Sequence, residues 1–320
     1  MSTKLADLEF DPVIFTQYTM ETVRKTSAFW QSSAIADVGL GIGAGGTHVN
    51  VPAFGGMTEA AQVTVDDAPV TVNKLSSFNQ QSAILTRRNA WGVNDMVDSR
   101  TGEEVLDFVF PKVANYWGRE LNGTAVAVAR GSADAIDDGD GDVVLDISAL
   151  TGGAEILSAS ALIDAQALGG EYTDEYNLLV VHPQVRAKLR QLNLTDSLPL
   201  ADQTMGEFFQ GMRIVVTSDL APAVDVYTSL MIRPNAFAYD EGGIVPAKQV
   251  EFDRDAKAEE DALIIRKRFV LHPFACAYTG TFAGANGASP TNVNLADAGN
   301  WELASGSKLN YGIRALKHKI

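Results

Sequence analysis

The stretch 250–273, VEFDRDAKAEEDALIIRKRFVLHP, is the most informative segment for predicting the fold of this chain. Its first part is acidic, since Glu251 and Asp253 alternate with apolar residues, and its second part is basic, with Arg266 and Arg268 among large apolar side chains. Alternation with a period of two is typical of strands, so we predict two antiparallel strands around a charged turn. Opposite charges that face each other across such a pair contribute about 0.2–1 kcal/mol each. We therefore expect ion pairs between the two acidic and the two basic residues.

The composition limits the classes of protein that the chain can belong to. Its 320 residues suffice for two domains or one elaborated domain. A formal charge of -15 argues against a protein that grips nucleic acid, because such proteins need a basic surface. The single cysteine, Cys276, excludes intrachain disulfides and is predicted to pack as a small apolar residue. The sequence shows no secretory signal and no apolar run that would span a membrane, so we expect a soluble protein.

The N-terminal third is predicted to be an arm followed by a β-rich excursion. Residues 1–15 are read as an extended arm, 19–30 as a short helix and 39–46 as a glycine-rich hinge. Residues 47–90 carry many β-branched but few large apolar side chains, so they cannot form a core of their own and need a neighbouring surface. The predicted contact residues of this excursion are Val63, Val65, Val70, Val72, Lys74, Arg87 and Arg88. The two arginines could meet phosphate, a neighbour's carboxylates or water, and the acidic charge of the chain favours the neighbour.

A long helix is predicted for residues 101–130, because apolar residues recur there at steps of three and four. Ser99 or Thr101 can cap its start, and Gly131 is a typical residue at a helix end. Roughly 28 helical residues span about 42 Å. Pro111 removes one backbone donor and should kink the helix.

The middle third, residues 150–240, alternates helices and strands and is predicted to be a compact α+β unit. The predicted elements are helices at 157–168 and 183–192 and strands at 176–181, 212–217 and 225–232. A last alternating strand is predicted at 310–318.

No motif in the chain predicts catalysis. Gly41, Gly43 and Gly46 match GxGxxG, but a β-like stretch follows where a dinucleotide site needs a helix, so we interpret them as a hinge. The four histidines show no metal-binding spacing, and no GxSxG sequence supports a serine hydrolase. The acidic loop 137–142 is interpreted as a solvated turn, with adventitious cation binding as the alternative. We predict no catalytic residue, no cofactor and no metal; a hydrolase with a β-rich lid is the rival hypothesis without a nucleophile to support it.

The order of these elements resembles that of the major capsid proteins of tailed bacteriophages, which share the Hong Kong ninety-seven-type coat fold. Several stretches resemble those proteins directly, and together they cover most of residues 95–320 in one order. They are LNGTAVAVARG at the end of the long helix, LLVVHPQVRAKLRQLNL in the middle, the charged ribbon, and the closing SPTNVNLADAGNWELASGSKLNYGIRALKHKI. The first 95 residues match by architecture rather than by letters.

The resemblance implies an α+β fold of the phage major capsid type with defined parts. It implies an N-terminal arm and short helix (1–40), an extended β-loop that lies on the adjacent subunit (41–95), and the spine helix with the first part of the peripheral domain (96–149). It further implies an axial domain (150–240), and the second part of the peripheral domain with the C-terminal strand (241–320). The long helix would lie on the long strands of the peripheral domain.

The implied function is structural. The resemblance implies a homo-oligomer of pentamers and hexamers that forms an icosahedral shell around phage double-stranded DNA, in the virion, after assembly in the host cytoplasm. It implies a separate scaffolding protein, a portal and decoration proteins, no sequence-specific DNA binding and no membrane. Some relatives join their subunits through a lysine and an asparagine; Lys74 lies in the loop, but no asparagine partner is identified and we predict no cross-link. The alternative is an encapsulin-like nanocompartment around a protein cargo, which shares the fold.

Overall fold

The computed structural model describes most of the chain from residue 28 onwards. The described residues are 28–42, 46–54, 60–64, 66, 69–74, 77–94, 105–199, 205–243, 249–255, 259–280, 282, 289–304 and 307–320. The predicted arm and residues 19–27 of the predicted short helix lie outside them; residues 28–30 of that prediction belong to a helix, Ala28–Gln31.

The chain mixes five α-helices with sixteen β-strands within these described ranges. The helices are α1 (Ala28–Gln31), α2 (Val105–Asp137), α3 (Ala159–Ala167), α4 (Pro183–Gln191) and α5 (Asn292–Leu295). The strands of the first half are β1 (Ile35–Asp37), β2 (His48–Phe54), β3 (Ser77–Ala83), β4 (Leu85–Asn94), β5 (Val144–Asp146), β6 (Leu178–Val181) and β7 (Asp196–Pro199). The others are β8 (Met205–Phe209), β9 (Met212–Val216), β10 (Tyr227–Ile232), β11 (Phe237–Gly242), β12 (Val250–Asp255), β13 (Glu260–Pro273), β14 (Cys276–Tyr278), β15 (Trp301–Leu303) and β16 (Ile313–His318).

Strand β13 is the centre of a five-stranded sheet. It pairs with β4 along one edge, and with β12 and then β11 along the other, while β1 adds to β11 in parallel. The predicted charged ribbon therefore exists as β12 and β13. Strand β4 belongs to this sheet, although its residues 85–90 were predicted as part of the excursion.

A seven-stranded sheet forms the second layer, in the order β5-β16-β10-β6-β9-β8-β7. Strands β6 and β10 near its centre are buried on both faces, as expected for a sheet that is covered on both sides. In β6, for example, Leu178 and Val180 pack in the core that includes the long helix, whereas Leu179 and Val181 pack in the core that includes α3 and α4. The predicted helices and strands of the middle third are confirmed. The last strand, β16, is buried on both faces between β5 and β10, and the alternation predicted for it was wrong.

The long helix α2 connects the two sheets. It runs over 33 residues, or about 50 Å, with Pro111 inside it. The prediction that it ends at Gly131 was wrong, because it continues to Asp137. Gly131 lies where a Cβ atom would be 2.1 Å from the carbonyl oxygen of Leu295. Glycine is required there by close packing against the α5 segment and not by a helix end.

Among the described helices, none combines the length and the apolar character needed to cross a membrane.

Candidate subunit interface

A hairpin of β2 and β3 extends from the body as a separate two-stranded sheet. The strands are antiparallel, with His48 opposite Ala83 at the root and Phe54 opposite Ser77 at the far end. Gln80, Ser82 and Ala83 are buried at the root, whereas the Phe54 side chain is 70% exposed. An isolated two-stranded hairpin is marginal in water, so contacts other than its own pairing must hold it in place.

The described residues between β2 and β3, which are 60–64, 66 and 69–74, present apolar side chains to solvent. Val63, Val70 and Val72 are 87%, 77% and 89% exposed, and Lys74 is exposed as well. Val65 lies outside the described residues. The side chain of Gln62 joins residue 62 to residue 71 through two hydrogen bonds. It accepts one from Thr71 N (2.9 Å) and donates one to Thr71 O (2.8 Å). The three valines thus present apolar side chains that the described part of the chain leaves open, and we call the described residues 60–64, 66 and 69–74 the tip segment.

The hairpin root contacts the segment that follows β13. Gln80 Oε1 accepts a hydrogen bond from Ala275 N at 3.1 Å, and Arg268 donates to the carbonyl oxygen of Gly46 at 2.9 Å. The rings of His48 and Phe282 meet edge to face, with centroids 4.9 Å apart. The root is therefore fixed to the body by both polar and aromatic contacts.

The two arginines at the start of β4 differ in their surroundings. Arg87 is engaged within its own chain: it donates to Ser289 Oγ (2.7 Å) and Asn292 Oδ1 (3.2 Å), and its Nε lies 3.9 Å from Glu120. Burial lowers the pKa of its guanidinium, and Glu120 opposes that shift. Arg88 is exposed. Of the two, Arg88 has the accessible side chain that contact with a neighbour requires.

The ribbon residues are brought together only in part. Arg266 Nη1 lies 2.8 Å from Glu251 Oε2. Asp253 is opposite Ala262 in the register, and Arg268 is opposite Thr86 of β4 and Gly242 of β11, beyond the part of β13 that pairs with β12. The pairing of Arg268 with Glu251 or Asp253 is thus replaced by its contact with the hairpin root.

The negative charge of the acidic loop after α2 is partly compensated within the chain. Asp137 Oδ1 accepts hydrogen bonds from Val143 N and Val144 N, and Lys308 Nζ lies 2.9 Å from Asp140 and 3.4 Å from Asp142. The hydrogen bond to Asp140 is the main cause that raises the pKa of Lys308. Within the ranges described above, no three His, Cys, Asp or Glu side chains are grouped to hold a metal ion.

The remaining titratable groups of note serve the fold. His272 is buried with its Nε2 at 2.9 Å from Cys276 O, and burial lowers its pKa to about 4. Hydrogen bonds from Arg186, and then from Arg190, lower the pKa of Glu207 to about 2. Burial raises the pKa of the Cys276 thiol well above its usual value. The Glu207 carboxylate, which accepts hydrogen bonds from two arginines, and the buried Cys276 thiol are structural groups. Neither forms a nucleophile with a base beside it.

The contacts that Gln80 and Arg87 make within the chain were not predicted from the sequence, which had assigned Arg87 to a neighbouring subunit. Gln80 and Arg87 contact residues about 200 positions away, at Ala275 and at Ser289 and Asn292. Local periodicity carries no signal for such contacts. The only available indication was a glutamine at a position that alternation assigns to the buried face of a strand.

Comparison with known proteins agrees with this architecture. The family model described as phage capsid protein matches residues 83–284, which is more than half of the chain. The major capsid protein of Bacillus phage SPP1 is 28% identical over 331 aligned positions, which cover 99% of this chain and 98% of that protein.

Solved structures show the same fold at low identity. A chain of the capsid of Ralstonia phage GP4 is 10% identical with a TM-score of 0.62, and the match covers 92% of each chain. A chain of the capsid of an empty GTA particle is 12% identical with a TM-score of 0.59, and the match covers 92% of this chain and 90% of that one. The two sheets, the long helix between them and the family match together lead to one conclusion: this chain belongs to the phage capsid protein family.

Proposed function

We propose that this phage capsid protein is the major shell subunit of a tailed-phage head and assembles into pentamers and hexamers around double-stranded DNA. The observation that carries the proposal is the tip segment. Its valines are almost fully exposed at the end of a hairpin whose root is buried. Exposed apolar surface of this kind marks an interaction site, and in a shell built from one subunit the adjacent copy supplies the cover.

Assembly then follows from repeated modest contacts. Each tip segment would bury its valines on a neighbour, with Lys74 as a polar contact at its end, and the exposed Arg88 of β4 would be a separate polar contact. The seven-stranded sheet with α3 and α4 would form the axial domain, which packs around five-fold and six-fold centres. The five-stranded sheet and α2 would form the peripheral domain. A single interface of this type need not be large, because closure of the shell multiplies it.

The charge of the chain supports a container for DNA rather than a DNA-binding protein. A net charge of -15 repels phosphate and disfavours adhesion of packaged DNA to the shell. Portal, scaffolding and decoration proteins would be separate partners, and assembly would take place in the host cytoplasm.

The rival functions have less support. The relatives reported above are phage and GTA capsid proteins, which favours a phage coat over a nanocompartment for a protein cargo. A hydrolase needs a nucleophile, a base and an orienting group. Among the buried histidines, His272 contacts Cys276 O, and His318 contacts Lys319 O and Ser229 Oγ. Ser229 and His318 are both fully buried, so a substrate has no access to that serine–histidine pair.

Electron microscopy of the expressed protein, with its scaffolding protein if one is needed, tests the proposal. The parent should form capsomers or closed shells.

A variant with Val63, Val70 and Val72 all changed to threonine keeps the side-chain shape but makes the tip segment polar, so it should remain folded and lose shells. The matched control, with the same three valines changed to isoleucine, keeps the apolar surface and should still assemble. Shells from the threonine variant in normal yield, or a parent that stays monomeric under every condition, would contradict the proposal.

A further inference from the structure

The hairpin is held at its root by two polar contacts, one for each of its strands. In β3, Gln80 Oε1 accepts a hydrogen bond from Ala275 N (3.1 Å). Ahead of β2, the carbonyl oxygen of Gly46 accepts one from Arg268 Nη2 (2.9 Å). Gln80 and Arg268 are both buried. The two contacts lead to the C-terminal half of β13 and to the turn that follows it.

The turn that receives Gln80 is itself strained. Ala275 has a φ of +73°, in the left-handed region that residues with a Cβ atom rarely adopt, and the residue is buried. Its amide would have no water to bind if the Gln80 oxygen moved away. A buried donor without an acceptor is strongly unfavourable, so the hairpin cannot rotate about its root without a penalty at Ala275.

A rotation at Gln80 is transmitted to the far end of the hairpin. Three residues separate Gln80 from Ser77 at that end, which at about 3.4 Å per residue gives a lever of about 10 Å. A rotation of about 10° at Gln80 would move the far end by about 2 Å on that length. A displacement of this size would take the valines of the tip segment out of van der Waals contact with a fixed acceptor surface.

We infer that Gln80 and Arg268 are positioning residues: they fix the direction in which the hairpin presents its tip segment before a neighbouring subunit arrives. The inference rests on the proposed function, in which the tip segment docks on the neighbour. A hairpin that already points along the docking direction loses less conformational freedom on binding than one that swings. The two residues thus promote assembly without touching the neighbour.

Distance measurements on the unassembled subunit test this directly. Cys276 is the single cysteine and is buried, so spin labels can be placed on Ser77→Cys in the hairpin and Ala187→Cys in α4, both of which are exposed. Pulsed electron resonance should give a narrow distance distribution for the parent. Gln80→Leu removes the acceptor at similar volume and should at least double the width. The matched control, Gln81→Leu, changes the adjacent residue on the opposite face of β3 and should leave the width as in the parent.

A second substitution and an assembly assay complete the test. Arg268→Met keeps the packing of the side-chain stem and removes the donor, so it should broaden the distribution even if Gln80→Leu fails to fold. In both variants the concentration at which shells appear should rise about tenfold, because a hairpin that swings must be ordered when it docks, at a cost of about 1.4 kcal/mol. Unchanged widths would overturn the inference while leaving the proposed function intact. Broadened widths with no assembly of the parent would instead refute the proposed function alone.

Discussion

Gly131 shows how much a single residue can depend on distant packing. It lies inside α2, where glycine normally weakens a helix, yet a Cβ atom there would lie 2.1 Å from Leu295 O and 2.9 Å from the Ala296 carbonyl carbon. The helix therefore accepts a poor helix former because the α5 segment crosses it at backbone distance. Sequence reasoning interpreted this glycine as a helix end, since the crossing segment lies more than 160 residues later and leaves no local trace.

The first prediction compares two glycines of this helix. Gly131→Ala should lower the free energy of unfolding by about 1–3 kcal/mol or more, because backbone atoms must move to admit the methyl group. Gly123→Ala should raise it by about 0.5–1 kcal/mol, the gain expected in a helix interior. At Gly123 the nearest atom to the new Cβ is Asp219 Cγ at 3.6 Å, an ordinary contact. Chemical denaturation of the unassembled subunit measures both changes, and effects of the same sign would contradict the prediction.

At the scale of elements, the sequence predicted strands well and their registers poorly. The alternation in β12 and β13 identifies which side chains share a face, but any offset by two residues preserves that pattern. The actual register places Glu251 opposite Ile264 and next to Arg266, and puts Arg268 beside the hairpin root. Similarly, β4 has the composition of the excursion but pairs with β13 over ten residue positions. Partner choice depends on contacts between remote segments, which one strand alone does not encode.

A charge swap tests the register of the ribbon. Arg266→Glu should lower the free energy of unfolding by no more than about 1 kcal/mol, because the ion pair with Glu251 is partly exposed. Adding Glu251→Arg to that variant should restore most of the loss. Arg268→Glu should cost more, because this side chain is buried, and neither Glu251→Arg nor Asp253→Arg should rescue it. Rescue of Arg268→Glu by Asp253→Arg in thermal unfolding would show that the register is different.

The whole molecule has a buried neutral histidine in each of its large sheets. His272 lies in β13 of the five-stranded sheet and His318 in β16 of the seven-stranded sheet, and burial lowers the pKa of both. The sequence predicted a compact α+β unit for residues 150–240 from its alternating helices and strands, and the family resemblance implied that the long helix lies on long strands. The burial of His272 and His318 was not predicted, because burial on both faces of a strand depends on how the sheets pack in the folded chain.

Acid should therefore destabilise the unassembled subunit in a defined window. The unfolded chain binds a proton at His272 below about pH 6.5, whereas the folded chain resists protonation until about pH 4. The contribution of this residue is fully present above pH 6.5 and is lost as the pH falls towards 4, on the order of 3 kcal/mol in total. His272→Gln, which can still donate to Cys276 O, should show a weaker pH dependence of the unfolding free energy in that window. Parallel curves for parent and variant would contradict this assignment.

Because β13 pairs with other strands along both of its edges, it should not tolerate insertion or deletion of a residue. Loss or gain of one codon within that strand would turn every following side chain to the opposite face, and the errors would spread to β4, β11 and β12 together. A codon added between residues 60 and 74 would lengthen a surface segment with no such partners in the described chain. Natural or engineered variation in length should accordingly accumulate in the tip segment and be absent from the strand that three others share.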